Sequence, residues 1–397
     1  MFGSGLNAAA TTWYILQATH SETNLAWLVV IQTIPAMLML PFSGVLIDRE
    51  DRRRIVMLLD FGRGVVIACV AYLAFTHRVH IWHMYVMFML VGFGFWMFWP
   101  TITALIQELT PEAEFVEANT LLMSGVQGGW LIAGAIVGFL YNKIGLGGIL
   151  LIDVSTYVVS FTLYFMVRRG RHVVKKPELV LDGPDLRSAW TKYFHEIREG
   201  IHYLRDKPDV ISMGLAWSLW LGAMLTQGVI TAPLIERVLH TGAVGYGWLN
   251  GAWGVGAFLV ALYATKFIKR HGSPNAFSLS LAVLSVGMVL APLTRWMLFA
   301  IGIYFFMGAA RGLAGIAVTS SMMEKVAKHF MGRVQNTFFF GGMLLQLSLS
   351  FVVGVVAHRV SLTLAFFIVA AMYCSATALI IFSPHHKNAQ AEAAQQT

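Results

Sequence analysis

The stretch Gly44-Val-Leu-Ile-Asp-Arg-Glu-Asp-Arg-Arg-Arg54 joins an apolar segment to a dense group of charges. The 23 residues from Leu25 to Ile47 carry no charged side chain, whereas all seven from Asp48 to Arg54 are charged. An apolar run of about 20 residues has the length of a helix that crosses a bilayer. Lipid offers no partner to backbone polar groups, so such a run must be helical. The stretch therefore predicts a membrane-spanning helix that ends at a charged loop.

The rest of the chain repeats this pattern. Hydrophobic residues make up 57% of the sequence and charged residues 12%, whereas soluble domains usually carry about 25% charged residues. The sequence predicts an all-α membrane protein with twelve transmembrane helices, at 1–18, 25–47, 55–75, 82–105, 119–142, 147–167, 210–235, 243–265, 276–293, 296–321, 334–357 and 361–382.

Basic residues are distributed unevenly over the predicted loops. If both termini are cytoplasmic, the inward loops and tail hold 21 Lys and Arg residues and the outward loops hold five. Because an excess of basic residues marks the cytoplasmic side, we expect a multi-pass protein with both termini in the cytoplasm. This distribution also accounts for the net charge of +8 without a nucleic-acid partner.

The two halves of the chain align without gaps at an offset of 217 residues. The matching positions are Arg49 with Lys266, Arg52 with Lys269, Arg53 with Arg270, Asn119-Thr120 with Asn336-Thr337, and Gly125 with Gly342. Two six-helix halves joined by a linker are a transporter layout, with the substrate near the membrane midplane. The predicted domains are an N-terminal bundle at 1–167, a cytoplasmic linker at 168–209, a C-terminal bundle at 210–382 and a cytoplasmic tail at 383–397.

The same offset makes two further predictions. The first helix begins about eight residues later than its counterpart in the second half, so we expect it to be clipped, with a naturally short first helix as the alternative. Within the linker, apolar residues recur at helical spacing from Leu186 to Leu204. They predict an amphipathic helix that lies on the cytoplasmic membrane surface or packs as a cap on the helical bundle.

The charged stretch resembles the loop signature of the major facilitator superfamily, Gly-x-x-x-Asp-Arg-x-x-Arg-Arg. Its residues match at Gly44, Asp48, Arg49, Arg52 and Arg53, and Asp51 stands where many members have glycine. Together with Asp60-x-x-Arg63 and the start Gly3-Ser-Gly-Leu6, it is similar to the branch that contains macrolide-efflux proteins, the enterobactin exporter and lysophospholipid transporters. The resemblance implies the major facilitator fold, with two pseudo-symmetric six-helix bundles, in the cytoplasmic (inner) membrane of a bacterium.

The resemblance also implies a conformational latch. In the family, the acid at the position of Asp48 meets the start of span eleven, here Gly332-Arg333, and holds the cytoplasmic side shut. A carboxylate at a helix exit is favoured by the positive end of another helix. The expected latch residues are Gly44, Asp48, Arg49, Arg52, Arg53, Asp60, Arg63 and Arg333, with Asp60 and Arg63 paired on one helix. The alternative is that the arginines only anchor the loop on the cytoplasmic side.

Two charged residues inside predicted spans are candidates for substrate binding or coupling. Arg311 lies in mid-span among small residues, where a charge usually faces a cavity or a partner. It is interpreted as a site for an anionic substrate or for proton coupling, or as a salt-bridged or snorkelling side chain. Asp153 is a candidate partner of Arg311 or a proton carrier, with a structural hydrogen bond as the alternative.

Polar and aromatic side chains in other spans are predicted to line an amphipathic cavity. They are Asn7, Thr11, Gln32, Trp96, Trp99, Gln127, Trp217, Trp220, Gln227 and Asn250. Taken singly, each is more often explained by helix packing or, for the tryptophans, by the membrane interface.

We predict a monomeric secondary transporter, surrounded by membrane lipid, that exports an amphipathic drug or siderophore-like molecule in exchange for protons. No catalytic or nucleotide-binding motif is recognised, so neither an enzyme nor a cofactor is expected. The histidines at 77, 80 and 83 have no carboxylate or cysteine nearby, so no metal site is expected. The alternatives are a lysophospholipid flippase, an importer of polar solutes and a non-transporting membrane sensor.

Overall fold

The computed structural model describes residues 1–111, 114–167, 186–205, 207–326 and 330–382. At positions 36, 39–49, 107, 115–117, 119, 120, 123, 124, 127, 186–190, 192 and 193 it describes the backbone alone. Helices and no strands are present in these ranges, which confirms the predicted all-α class. The tail at 383–397 and the linker residues 168–185 lie outside the described residues.

Thirteen α-helices make up the described part of the chain. They are α1 Phe2–Thr19, α2 Glu22–Arg49, α3 Arg52–Phe75, α4 Ile81–Leu109, α5 Phe115–Met166, α6 Leu186–Leu204, α7 Pro208–Thr226, α8 Gly228–Leu234, α9 Gly242–His271, α10 Ser273–Leu290, α11 Met297–Lys325, α12 Met331–Arg359 and α13 Leu362–Ile381. A π-helix, Ile235–Leu239, follows α8, and a 3₁₀ turn, Ala291–Leu293, follows α10.

The helix boundaries depart from the predicted runs in two places. The runs at 119–142 and 147–167 both fall within α5, which is interrupted at Gly145 by non-helical angles, φ 63° and ψ −171°. Glycine reaches this left-handed region because it has no Cβ. The run at 210–235 is divided among α7, α8 and the π-helix, with Pro233 inside α8. Proline provides no N–H for a helical hydrogen bond, and the regular α-helix ends at the next residue.

Nine helical segments among the described residues are long and apolar enough to cross a membrane. One of them, Gly128–Met166, contains most of the two predicted spans that Gly145 separates. Helices α1 and α2 are not among the nine, and much of α2 is described by its backbone alone. The chain is therefore a multi-pass membrane protein, and the number twelve stays a prediction.

The chain forms two compact units. The first unit contains Met1–Ala18 and Ile31–Phe194, and the second contains Thr19–Val30 and His195–Thr397. In the first unit α5 packs against α3, and in the second α9 packs against α11 and α7 against α12. Helix α2 is divided between the two units at residues 30 and 31.

The linker helix α6 has the bounds that its apolar spacing predicts, and its second half packs on the start of α12. Tyr203 stacks on Phe330 with ring centroids 4.3 Å apart. Gly200 lies so close to α12 that a Cβ there would be 2.6 Å from the Thr337 hydroxyl oxygen. This half of α6 therefore agrees with the packed-cap alternative.

Candidate functional site

Asp51, the residue that departs from the family signature, caps the start of α3. Its carboxylate oxygen Oδ1 accepts hydrogen bonds from the backbone N–H groups of Arg53 at 3.0 Å and Arg54 at 3.4 Å. Aspartate is among the preferred N-cap residues because it satisfies N–H groups that have no partner inside the helix. The sequence alone did not assign Asp51 this role.

Arg52 and Arg53 bind carbonyl groups near the ends of two neighbouring helices in the first unit. Arg52 Nη1 donates to the carbonyl of Ala104 on α4 at 3.0 Å. Arg53 Nε donates to the carbonyl of Tyr164 on α5 at 2.7 Å, and its Nη2 donates to Phe165. Tyr164 and Phe165 lie in the last turn of α5, at the negative end of its dipole, whereas Ala104 lies five residues before the end of α4. Both arginines thus connect α3 to a neighbouring helix.

The contact of Asp48 with the start of α12, on which the predicted latch depends, lies outside what the described side chains can test. Gly44, Asp48 and Arg49 are among the positions where the backbone alone is described. Arg333 forms a salt bridge of 3.2 Å with Glu199 of α6 and lies over the ring of Phe330. Glu199 as a partner of Arg333 was not foreseen from the sequence. The latch therefore stays a prediction.

Asp60 and Arg63 form the expected pair on α3, and both side chains are buried. Arg63 Nη2 lies 2.5 Å from Asp60 Oδ1, and the hydroxyl of Ser160 on α5 donates to Asp60 Oδ2 at 2.5 Å. The guanidinium also lies over Tyr157 of α5, 4.9 Å from the ring centroid. A Cβ at Gly94 of α4 would lie 2.7 Å from Arg63 Cδ, so the glycine makes room for the arginine.

Asp153 of α5 is fully buried and bonded to uncharged side chains. Asn7 Nδ2 of α1 donates to Asp153 Oδ2 at 2.9 Å, and Thr11 donates to Asn7 Oδ1 at 3.0 Å. Thr156 donates to the backbone carbonyl of Asp153 at 2.8 Å and lies 3.4 Å from its Oδ1. Asp153 is therefore hydrogen-bonded to a neighbouring helix, and Asn7 and Thr11 belong to the same network.

A polar stripe on α5 connects the sites of Asp60 and Asp153. Positions 153, 156, 157 and 160 lie on one face of the helix because they are three or four residues apart. Tyr157 meets Ser4 of α1 at 3.1 Å as well as the Arg63 guanidinium. Gly3 has no side chain, and a Cβ there would overlap Asp153 and Thr156. The segment Gly3-Ser-Gly-Leu6, one of the stretches that carry the family resemblance, is thus the part of α1 that contacts this stripe.

Arg311 points toward the interior of the second unit. Tyr304 and Val318, seven residues to either side on the same face of α11, are each 2% exposed. Phe306 and Ile316, on the other side of the helix, are exposed. Snorkelling toward lipid is thus disfavoured, although Arg311 itself is partly exposed.

The contacts of Arg311 differ from those of Arg63. Its Nε lies 3.2 Å from the sulfur of Met224 on α7. Among the described residues, no carboxylate lies within salt-bridge distance of Arg311. Tyr373 of α13 interacts with it electrostatically, and the Tyr373 hydroxyl has no hydrogen-bond partner within the described part of the chain. Arg311 and the proposed partner Asp153 belong to different units, and each has contacts within its own.

The other predicted cavity residues are divided between the units. Gln32, Trp96 and Trp99 are partly buried in the first unit, and Gln127 has no described side chain. In the second unit Trp217 and Asn250 are partly buried, and Asn250 bonds the carbonyl of Tyr246. Trp220 and Gln227 are buried there, and each has one polar atom without a hydrogen-bond partner among the described residues.

Glu22, Arg237 and His358 form a cluster that the sequence analysis missed. Glu22, in the first turn of α2, is fully buried, and its two carboxylate oxygens lie 2.8 and 3.0 Å from Arg237 of the π-helix. His358 Nδ1 of α12 lies 3.2 Å from Glu22 Oε2. The one signal in the sequence was an acid directly before an apolar span. This signal does not by itself predict burial, because charges in short loops are usually solvated.

These features define the class of protein: a membrane-embedded helical protein with ionisable groups buried inside its units. The family model of the Major Facilitator Superfamily matches residues 1–348. The chain belongs to the Major Facilitator Superfamily, and it is a transporter and not an enzyme.

Two relatives and one solved structure show the range of similarity. Macrolide efflux protein A of Streptococcus pyogenes is 22% identical over 345 residues, 83% of this chain and 80% of that protein. The putative bacilysin exporter BacE of Bacillus amyloliquefaciens is 26% identical over 317 residues, 77% of this chain and 73% of that protein. A POT family transporter in complex with 5-aminolevulinic acid has a TM-score of 0.74 at 16% identity and covers 97% of this chain and 93% of its own. This last likeness shows a shared fold.

Proposed function

We propose that this transporter exports an amphipathic drug or siderophore-like molecule by alternating access and takes up protons in exchange. The efflux and export functions in the names of two relatives support the direction. The observation that carries the coupling is Asp153, a fully buried carboxyl group held by uncharged partners. In this proposal the protein is a monomer in the inner membrane of a bacterium, with both termini in the cytoplasm.

The two buried carboxylates of the first unit have different chemistry. Asp60 is paired with Arg63, so its protonation would leave an unpaired buried cation, which is costly. Asp153 accepts from the amide of Asn7, so it can gain or lose a proton without breaking a contact ion pair. The positive charge of Arg63 acts on Asp153 at longer range. An ionisable group inside a membrane segment is a functional candidate by default. We therefore assign the transported proton to Asp153.

Transport into proteoliposomes tests the coupling. A pH difference of one unit supplies about 1.4 kcal/mol per proton, enough for about tenfold accumulation of a monocationic solute exchanged for one proton. Erythromycin serves as the probe because one relative is a macrolide efflux protein. Asp153→Asn should abolish accumulation driven by the pH gradient and keep erythromycin exchange without a gradient within about twofold of the unmodified protein.

The control is Asp209→Asn, the same chemical change in the first turn of α7. It should accumulate erythromycin normally. Normal accumulation by Asp153→Asn would refute the proton assignment. Transport of a fluorescent lysophospholipid in place of erythromycin would replace the proposed substrate class with the flippase alternative.

A further inference from the structure

Within the second unit, the Glu22 cluster holds the beginning of α2 against the π-helix and α12. Arg237 binds both oxygens of Glu22 and also donates to the backbone carbonyl of His20 at 3.1 Å. The Nη2–Oε2 contact is a hydrogen bond, and Nη1 lies 2.8 Å from Oε1 as an ion-pair contact. The side chains of Arg237 and His358 are 38% and 41% exposed, whereas that of Glu22 is 0% exposed. An unpaired carboxylate in this position would be strongly disfavoured, so the attachment depends on the charge of Glu22.

Close packing reinforces this attachment one turn further along α2. A Cβ on Gly354 of α12 would lie 2.5 Å from the Ala26 Cβ and 3.0 Å from the carbonyl oxygen of Glu22. The missing side chain at 354 lets the two helices approach, and Ala26 is 0% exposed. Ala26 is therefore a reporter: it becomes accessible to a reagent when α2 leaves α12.

The course of α2 gives this contact its significance. Residues 19–30 group with the second unit, and α2 continues from Ile31 as part of the first. The helical bundles of a transporter move during the cycle, and the ion pair of Glu22 is a charge-dependent contact in the short segment of this divided helix.

We infer that Glu22 is a positioning residue for transport, whose ion pair with Arg237 and His358 holds the first turns of α2 on α12 in one conformational state and releases them in another. This inference does not depend on proton coupling or on the substrate. A failure of the coupling experiment would leave it unchanged.

Cysteine labelling at position 26 tests it without a substrate. Ala26→Cys is introduced after Cys69→Ala and Cys374→Ala, and the rate of reaction with N-ethylmaleimide is measured on the purified full chain. Glu22→Gln and Arg237→Gln should each react at least tenfold faster than the parent. Glu22→Asp keeps the charge and should stay within about threefold. The matched control is Glu236→Gln, which changes the neighbouring acid, a partner of His20.

The double variant Glu22→Gln with Arg237→Gln separates an attachment from a general loss of packing. Once the ion pair is broken, removing its second member should have no further effect, so the double variant should react no faster than the faster single one. The inference is overturned if Glu22→Gln reacts with N-ethylmaleimide at the rate of the parent. It is also overturned if the rate increases of the two single variants multiply in the double variant. If Glu22→Gln does not elute as a monodisperse protein, Arg237→Gln and Glu22→Asp decide the question.

Discussion

The replacement Arg63→Met removes the cation from the buried pair on α3. The substitution keeps an unbranched side chain and therefore most of the packing beside Gly94. It eliminates the contact of 2.5 Å to Asp60, the bond of 3.1 Å to the Leu59 carbonyl and the cation–π contact with Tyr157. Asp60, only 2% exposed, is then left with the Ser160 hydroxyl as its hydrogen-bond donor among the described residues.

The size of the effect follows from this burial. Removing one partner of a buried ion pair usually destabilises a protein by about 3–5 kcal/mol, because the remaining charge is uncompensated. For a unit of this size, that corresponds to a melting temperature lower by about 6–20 °C. The double replacement Asp60→Leu with Arg63→Met removes both charges. It should lose only about 0–2 kcal/mol, since an apolar pair of similar volume replaces the ions and mainly the Ser160 bond is lost.

Thermal unfolding of the detergent-purified protein, followed by tryptophan fluorescence, measures these differences. The informative result is the order of stability: the double variant should melt above Arg63→Met. If the double variant melts at or below the single variant, the two residues do not act as a pair. A melting temperature of Arg63→Met within about 2 °C of the parent would show that the guanidinium contributes little to the first unit.

Three further substitutions test other sites. Asp51→Ala should cost about 1 kcal/mol by removing the N-cap of α3, whereas Asp51→Asn, which also caps, should melt close to the parent. Gly3→Ala should cost about 1–3 kcal/mol, because its Cβ overlaps Asp153 and Thr156; Gly62→Ala, which meets no atom within 4 Å, is the thermal-unfolding control. Arg311→Ala should lose erythromycin transport in proteoliposomes while still folding, and Arg311→Lys should keep part of it; normal transport by the alanine variant would exclude a role in the site.

The fold was largely accessible from the sequence, because apolar length and helix are tightly linked in a membrane. The bounds of α6 followed from apolar spacing alone, and Asp60 and Arg63 were paired correctly because residues three apart share a helix face. The division of one predicted run into α7, α8 and a π-helix was not visible. It depends on local hydrogen bonding around Pro233, which hydrophobicity does not record.

The functional contacts were less accessible, because they join residues far apart in the chain. Asn7 and Asp153 are separated by 146 positions, and Glu22 and His358 by 336. Sequence patterns identify a polar residue in an apolar helix, but its partner depends on which helices pack together. The roles of Asp51 and Glu22 were not predictable for a different reason. Acids at helix starts are common and usually exposed, so the sequence does not show which of them cap a helix or pair with a neighbouring one.

The 217-residue repeat distinguishes a structural arginine from a candidate functional one. In the first unit, the guanidinium of Arg63 lies against Gly94 and is neutralised by Asp60. The offset places Arg311 at the position of Gly94, whereas the positions of Arg63 and Asp60 correspond to Ser280 and Phe277.

The second unit therefore carries a guanidinium on a different helix and has replaced the matching acid with a buried phenylalanine. If the fold itself required an ion pair here, both units would contain one. Since arginine stays protonated under all ordinary conditions, Arg311 cannot carry the transported proton. No acid among the described residues pairs with this charge in mid-helix, and binding an anionic group during transport would offset its cost.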